Sequence, residues 1–169
     1  MRNLTPEENK AFIDECLKRN GCWYVWPAKS NRYSGKDLKN ALYPNTYDCS
    51  GLVTSSLFAA TGIDYRATKN AQMLCDDCDS VNQDEIKVGD LIFYGISRIG
   101  ISHVMVYIGV KNPGHWYSPI YGSSGGDSRT ISVEEAKIRN AKVRSYKNIN
   151  YRPDFVCVGR LRIPHAKVR

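Results

Sequence analysis

Two periods run through the hydrophobic positions of this chain, a helical one in its first half and a strand-like one after residue 90. Thr5-Pro6-Glu7-Glu8 is a capping box with proline at the first helical position. Phe12, Ile13, Cys16 and Leu17 then recur at helical spacing until Asn20-Gly21 stops the run. Val53, Leu57 and Ala60 repeat that spacing between Asp48, a ready N-cap, and Gly62, a ready stop, so an amphipathic helix is expected there. A short helix is expected around Asn70 to Leu74, ahead of an acidic segment at 76 to 85. Ser132-Val133-Glu134-Glu135 is a further capping box that opens another short helix.

The strand-like half begins at Val88-Gly89-Asp90, a turn that launches Leu91-Ile92-Phe93-Tyr94. Ser102 to Ile108 is rich in β-branched and aromatic residues and reads as a second strand with His103 at its leading end. Lys111-Asn112-Pro113-Gly114 is a turn signal, so His115 to Tyr121 is expected to return antiparallel, and Phe155 to Val158 reads as a last strand. Helices first and a mostly antiparallel sheet afterwards is an α+β order. Residues 28 to 46 keep no period and read as a long surface loop; such loops are often functional. This one runs straight into Tyr47-Asp48-Cys49, so it is expected to form one wall of a cleft, with its three lysines placed to meet carboxylates.

Composition narrows the picture. A chain of 169 residues, 42% hydrophobic and 11% aromatic, fills one domain, 1 to 169, and is short for two. Its 24 Lys and Arg against 17 Asp and Glu give a net charge of +7, crowded between Lys137 and Arg169. That field either attracts polyanions, including anionic wall polymers, or is a solvated surface that keeps the protein soluble. No aromatic-interleaved basic motif or zinc-finger spacing points to specific nucleic-acid recognition. No apolar run approaches the ~20 residues of a membrane span, and Met1 to Glu8 lacks the apolar centre of a signal peptide. A protein made in the cytoplasm is the expectation.

Six cysteines, at 16, 22, 49, 75, 78 and 157, read as free thiols in such a chain. Cys75-Asp76-Asp77-Cys78 has the spacing of a metal or redox pair. No second CxxC or paired histidine motif completes a zinc site, and the acidic segment lacks the strand-to-helix context of a thioredoxin-like pair. Partly buried thiols are the plainer reading, and neither a metal nor a cofactor is expected.

The distinctive chemistry is at Tyr47-Asp48-Cys49-Ser50-Gly51-Leu52. Cys49 falls at a helix N-terminus, where unpaired N–H groups and the macrodipole favour the thiolate. A thiolate nucleophile needs a base, and His103 is the best placed. Asp48 to Leu52, Val88 to Tyr94, and Ser102-His103-Val104 through Tyr107-Ile108-Gly109 together resemble the three blocks of the NlpC-type cell-wall peptidases. The likeness is strongest over 20 to 126. Tyr121 to Gly126 and Ile149 to Val156 are similar to the branch carried by bacteriophages.

The resemblance implies a papain-like fold, with the nucleophile helix packed on the sheet and a Cys49–His103 thiolate–imidazolium pair. It also implies that Tyr24, in Tyr24-Val25-Trp26, lies beside the nucleophile together with Asp48 and Ser50 at the substrate or oxyanion side. Pro27-Ala28 stands where the family has glycines. A third polar residue should orient the imidazole. His115 suits the family's spacing, whereas a hairpin turning at 111 to 114 sets Tyr121 or Gly122 opposite His103 and sends His115 to the far tip. Tyr121 and His115 both stay open, as do a backbone carbonyl or a water.

The implied activity is that of a thiol peptidase cutting the peptidoglycan stem peptide, at the link from D-glutamate to a diamino acid. Phage lysis or tail-associated wall penetration would deliver it, as an endolysin or a virion part. An amidase or acyltransferase on another amide, or a catalytically idle wall-binding module, is the alternative.

Overall fold

Thr5 caps α1 (Pro6–Lys18), its side chain accepting the Glu8 N–H at 3.1 Å. The Glu8 carboxylate takes Arg2 at 2.8 Å, so of the expected capping box the Thr5 half is seen, and Glu7 and Glu8 set negative charge at the helix's positive end. This computed structural model describes residues 1–27, 45–109 and 118–165. Within it, α1 packs Phe12 and Cys16 against Leu52, Val53 and Leu57 of α2 (Cys49–Thr61). Asp48 caps α2 and Gly62 ends it in the left-handed region, as the sequence predicts.

One expectation for α2 fails. Every residue from Cys49 to Leu57 is buried, so the helix is enclosed rather than amphipathic. The reason is that α1 covers one side and the sheet the other. Its polar residues satisfy themselves locally, as where the Thr54 hydroxyl donates to the Ser50 carbonyl at 2.8 Å.

The short helices are α3 (Ala71–Asp76), capped by Asn70, and α4 (Val133–Arg139), capped by Ser132. The strands are β1 (Arg2–Asn3), β2 (Cys78–Val81), β3 (Leu91–Gly95), β4 (Ile101–Tyr107), β5 (Ile120–Ser124), β6 (Lys142–Tyr146) and β7 (Phe155–Ile163). Their order among the described residues is β1-β7-β3-β4-β5-β6, with β2 also on β7, and every pairing is antiparallel. β2 and the Asp77 carbonyl take one edge of β7, while β3 and then β1 follow each other along the other edge.

The sheet has two covered faces. Leu91, Phe93, Val104, Val106 and Tyr121 face the helices, and Ile92, Tyr94, Met105, Tyr107 and Ile120 face a second core closed by Ile149, Tyr151 and Phe155. Burial on both faces explains why β3 and most of β4 read as continuous apolar runs rather than as alternation. The expected loop from 28 to 46 lies outside the described residues up to 44, and so does the expected start of the strand at His115.

Candidate active site

A cleft of about 410 Å³ opens where α2 begins, lined by Tyr24, Asp48, Cys49, Ser50, His103 and Arg152 among others. Each wall has a local cause. Cys49 is the first residue of α2, and the Asp48 carboxylate holds the first turn by accepting the Gly51 N–H at 2.7 Å and the Ser50 hydroxyl at 3.3 Å. Asp48 and Ser50 therefore organise the helix start that carries the thiol.

Tyr24 reaches the cleft because residues 21 to 26 run beside β6 as an irregular strand. Its N–H donates to the Ala141 carbonyl at 2.9 Å, and the Trp26 N–H donates to Thr130 at 2.8 Å. Gly126 permits this path, since any side chain there would collide with the Tyr24 ring. Burial, with Cys49, Asp48 and Asp127 adding to it, pushes the Tyr24 phenol well above its ordinary range, so it stays protonated and able to donate.

His103 sits on β4 opposite Tyr94, with ring centroids 5.6 Å apart, and is 5% exposed. Its Nε2 lies 2.7 Å from the Tyr151 hydroxyl, which in turn lies 2.9 Å from the Ser124 hydroxyl. Burial, with the Arg152 guanidinium as the second cause and Asp154 opposing, pushes His103 from the ordinary 6.5 down to about 3. Tyr151 is itself pushed up by burial and stays a neutral phenol. The surroundings of His103 thus carry a positive neighbour and a neutral partner, which favour the uncharged imidazole at rest.

The structure brings Tyr24, Asp48, Cys49, Ser50 and His103 to one cleft. Tyr121 is elsewhere: it lies on the helix-facing side of the sheet, and its hydroxyl donates to the Asn20 side chain at 2.9 Å. His115 lies outside the described residues. The register explains the difference for Tyr121. β4 and β5 pair Val106 with Tyr121 and Tyr107 with Ile120, so continuing the ladder sets Ser124 opposite His103. A displacement of the hairpin centre by one residue moves the partner by two positions.

Tyr151, Arg152 and Ser124 are the residues that sequence reasoning did not assign. Tyr151 and Arg152 arrive from the segment before β7, and only the pairing of β7 with β3, Tyr94 facing Phe155, brings them beside His103. Arg152 is held by Asp154 at 2.6 and 2.8 Å and lies over the Tyr94 ring at 5.4 Å. The one signal in the sequence is the concentration of polar and aromatic groups in Tyr151-Arg152-Pro153-Asp154, immediately ahead of an apolar strand.

Comparison with known proteins bears on this arrangement. No curated protein matches the sequence. Among solved structures, the P60 domain of antigen MAP1204 from M. avium subspecies paratuberculosis is similar with a TM-score of 0.63 at 21% identity, over 94% of this chain and 96% of that one. The peptidoglycan hydrolase RipB from Mycobacterium tuberculosis is similar at 0.61 and 23% identity, over 92% of this chain and 66% of RipB. RipD from the same organism, described as a non-catalytic NlpC/p60 domain protein adapted to peptidoglycan binding, scores 0.59 at 16% identity, over 92% of this chain and 98% of its own. These likenesses carry the fold, an α+β arrangement of helices on an antiparallel sheet. A sequence model described as NlpC/P60 family matches residues 21–160, and the chain belongs to that family.

Proposed function

We propose that this protein is a cysteine peptidase that hydrolyses an amide bond of the peptidoglycan stem peptide, at the link from D-glutamate to a diamino acid. The observation that carries the reading is the meeting of Cys49, at a helix N-terminus, with His103 in one cleft. Membership of a family that includes a peptidoglycan hydrolase such as RipB supports the substrate class.

The neutral setting of His103 gives the first step its form. The hydrogen-bond direction that frees Nδ1 runs from Nε2–H to Tyr151 and from the Tyr151 hydroxyl to Ser124. His103 then acts as a general base that takes the Cys49 proton as sulfur attacks the carbonyl, and the imidazolium exists only transiently. Backbone N–H groups at the start of α2, with the Tyr24 hydroxyl, stabilise the oxyanion. His103 returns the proton to the departing amine, and water attacks the thioester with the imidazole again as base. Tyr151 positions the ring throughout. Arg152, the cation lining the cleft among the described residues, suits a substrate carboxylate.

A second reading, a wall-binding module without catalysis, is favoured by the likeness to RipD. Delivery by a bacteriophage, as an endolysin or virion component acting on the wall after release, rests on the likeness of residues 121 to 126 and 149 to 156 alone. Anionic wall polymers are the partners that the +7 charge would recruit.

Digestion of purified peptidoglycan by wild type and Cys49→Ala, with mass spectrometry of the released fragments, tests both readings. New stem-peptide ends with wild type only are expected. Wall binding by both proteins with no fragment from either would establish the binding module instead.

A further inference from the structure

Cys75 and Cys157 place their sulfur atoms 3.9 Å apart across 82 residues of sequence. Cys75 is on α3 and partly exposed, and Cys157 is buried on β7. Cys78, the other half of the CxxC spacing, is engaged differently: its thiol donates to the Leu74 carbonyl at 3.2 Å, and it packs so closely over Gly159 that a side chain at 159 would collide with it. Among the described residues no group of three or more His, Cys, Asp or Glu is placed to hold a metal ion. The thiols are therefore arranged for each other.

We propose that Cys75 and Cys157 are a redox modification site, forming a reversible disulfide that fastens α3 to β7 by exchange with a low-molecular-weight disulfide. The Cys75 thiolate attacks the small disulfide, releasing one thiol and leaving a mixed disulfide on Cys75. The Cys157 thiolate then attacks the Cys75 sulfur and releases the second thiol. Two protein thiols are oxidised, one external disulfide is reduced to two thiols, and the two protons lost from the protein are carried by those thiols.

The geometry asks little of the fold. A disulfide needs the sulfurs at about 2.05 Å, and the remaining approach falls on a partly exposed side chain of a six-residue helix. Burial, with Cys157 next, pushes the Cys75 thiol up to about 12, so exchange is slow at neutral pH and quickens as pH rises.

The bond has a reach beyond its own two residues. α3 begins with the Ala71 and Gln72 that line the cleft, and Gln72 ties that wall to its surroundings by accepting the Ile101 N–H at 2.8 Å and donating to the Arg98 carbonyl at 2.8 Å. Oxidation would fix this wall on the sheet.

The test uses the full chain with Cys49→Ala, incubated with oxidised glutathione at pH 8.5, digested without reduction and mapped by mass spectrometry. A peptide pair joining Cys75 to Cys157 is expected, with a Tm rise of roughly 5–10 °C that dithiothreitol reverses. Cys78→Ser should keep both the pair and the shift, and Cys157→Ser should lose both. Recovery of Cys75 joined to Cys78, as a glutathione adduct only, or still open to alkylation would overturn the proposal, as would an unchanged Tm rise in Cys157→Ser. Should Cys157→Ser fail to fold, Cys75→Ser poses the same question from the helix side.

Discussion

The Tyr151 hydroxyl stands 2.7 Å from Nε2 of His103, the contact that orients the imidazole in the proposed mechanism. A phenol supplies direction without negative charge. Tyr151→Phe should therefore lower kcat by roughly 10-fold or more with KM near wild type, because the lost contact fixes the ring and touches no substrate. Steady-state kinetics on a stem-peptide substrate checks this; an unaltered kcat would remove Tyr151 from the site.

Tyr121 offers the matching control. Its hydroxyl serves Asn20 on the other side of the sheet. Tyr121→Phe should keep kcat and cost about 1 kcal/mol of stability, measured by urea unfolding. A large loss of activity in this variant would return Tyr121 to the catalytic set.

Acid should weaken the fold through His103. Its folded-state pKa of about 3 lies below the 6.5 of an unperturbed histidine, so between those values the unfolded chain binds a proton that the folded chain refuses. Above 6.5 both forms are neutral and the full stability is present. Below it stability falls as pH falls, by at most about 1.4 kcal/mol per pH unit. His103→Gln should flatten that slope, and identical pH dependence of unfolding in the two proteins would contradict the burial of a neutral imidazole.

Thiol labelling should separate Cys49 from the other cysteines. Burial pushes Cys16 up to about 12 and raises Cys22, Cys75 and Cys78, whereas Cys49 lines an open cleft at a helix N-terminus. Iodoacetamide at pH 7.5 should modify Cys49 first, read by peptide mapping. Labelling of Cys22 or Cys75 ahead of it would argue against an activated thiol.

The turn before β3 depends on a buried carboxylate. Asp90, 2% exposed, accepts two bonds from Arg160, at 2.9 and 3.0 Å, and the Lys87 N–H at 2.7 Å. Arg160→Met should destabilise the protein by about 2 kcal/mol in thermal or urea melts, because it strands a charge while leaving the strand pairing intact. A change under half of that would show that solvent can replace the guanidinium.

What the sequence made legible follows from how local each signal is. Caps at Thr5, Asp48, Asn70 and Ser132 are written in adjacent residues, and their helices begin where the sequence predicts. Cys49 and His103 were readable for the same reason, each inside its own short block. Lys142–Tyr146 and Cys78–Val81 are strands through their partners, since both are polar edge segments with weak patterns of their own. Tyr151 was hidden because its role exists only across the sheet, and Ser124 because a hairpin's centre cannot be fixed to one residue from a turn signal alone.

The position of β7 orders events during synthesis. This strand pairs with β1, β2 and β3, so none of those pairings can form until residues 155 to 163 have left the ribosome. The segment just before β7 delivers Tyr151 and Arg152 to His103. A nascent chain would carry α2 for some hundred residues of translation before the groups around His103 are complete, and pairing between such distant segments also makes folding slow. The surroundings of His103 would then be complete only after residues 151 to 163 have been made.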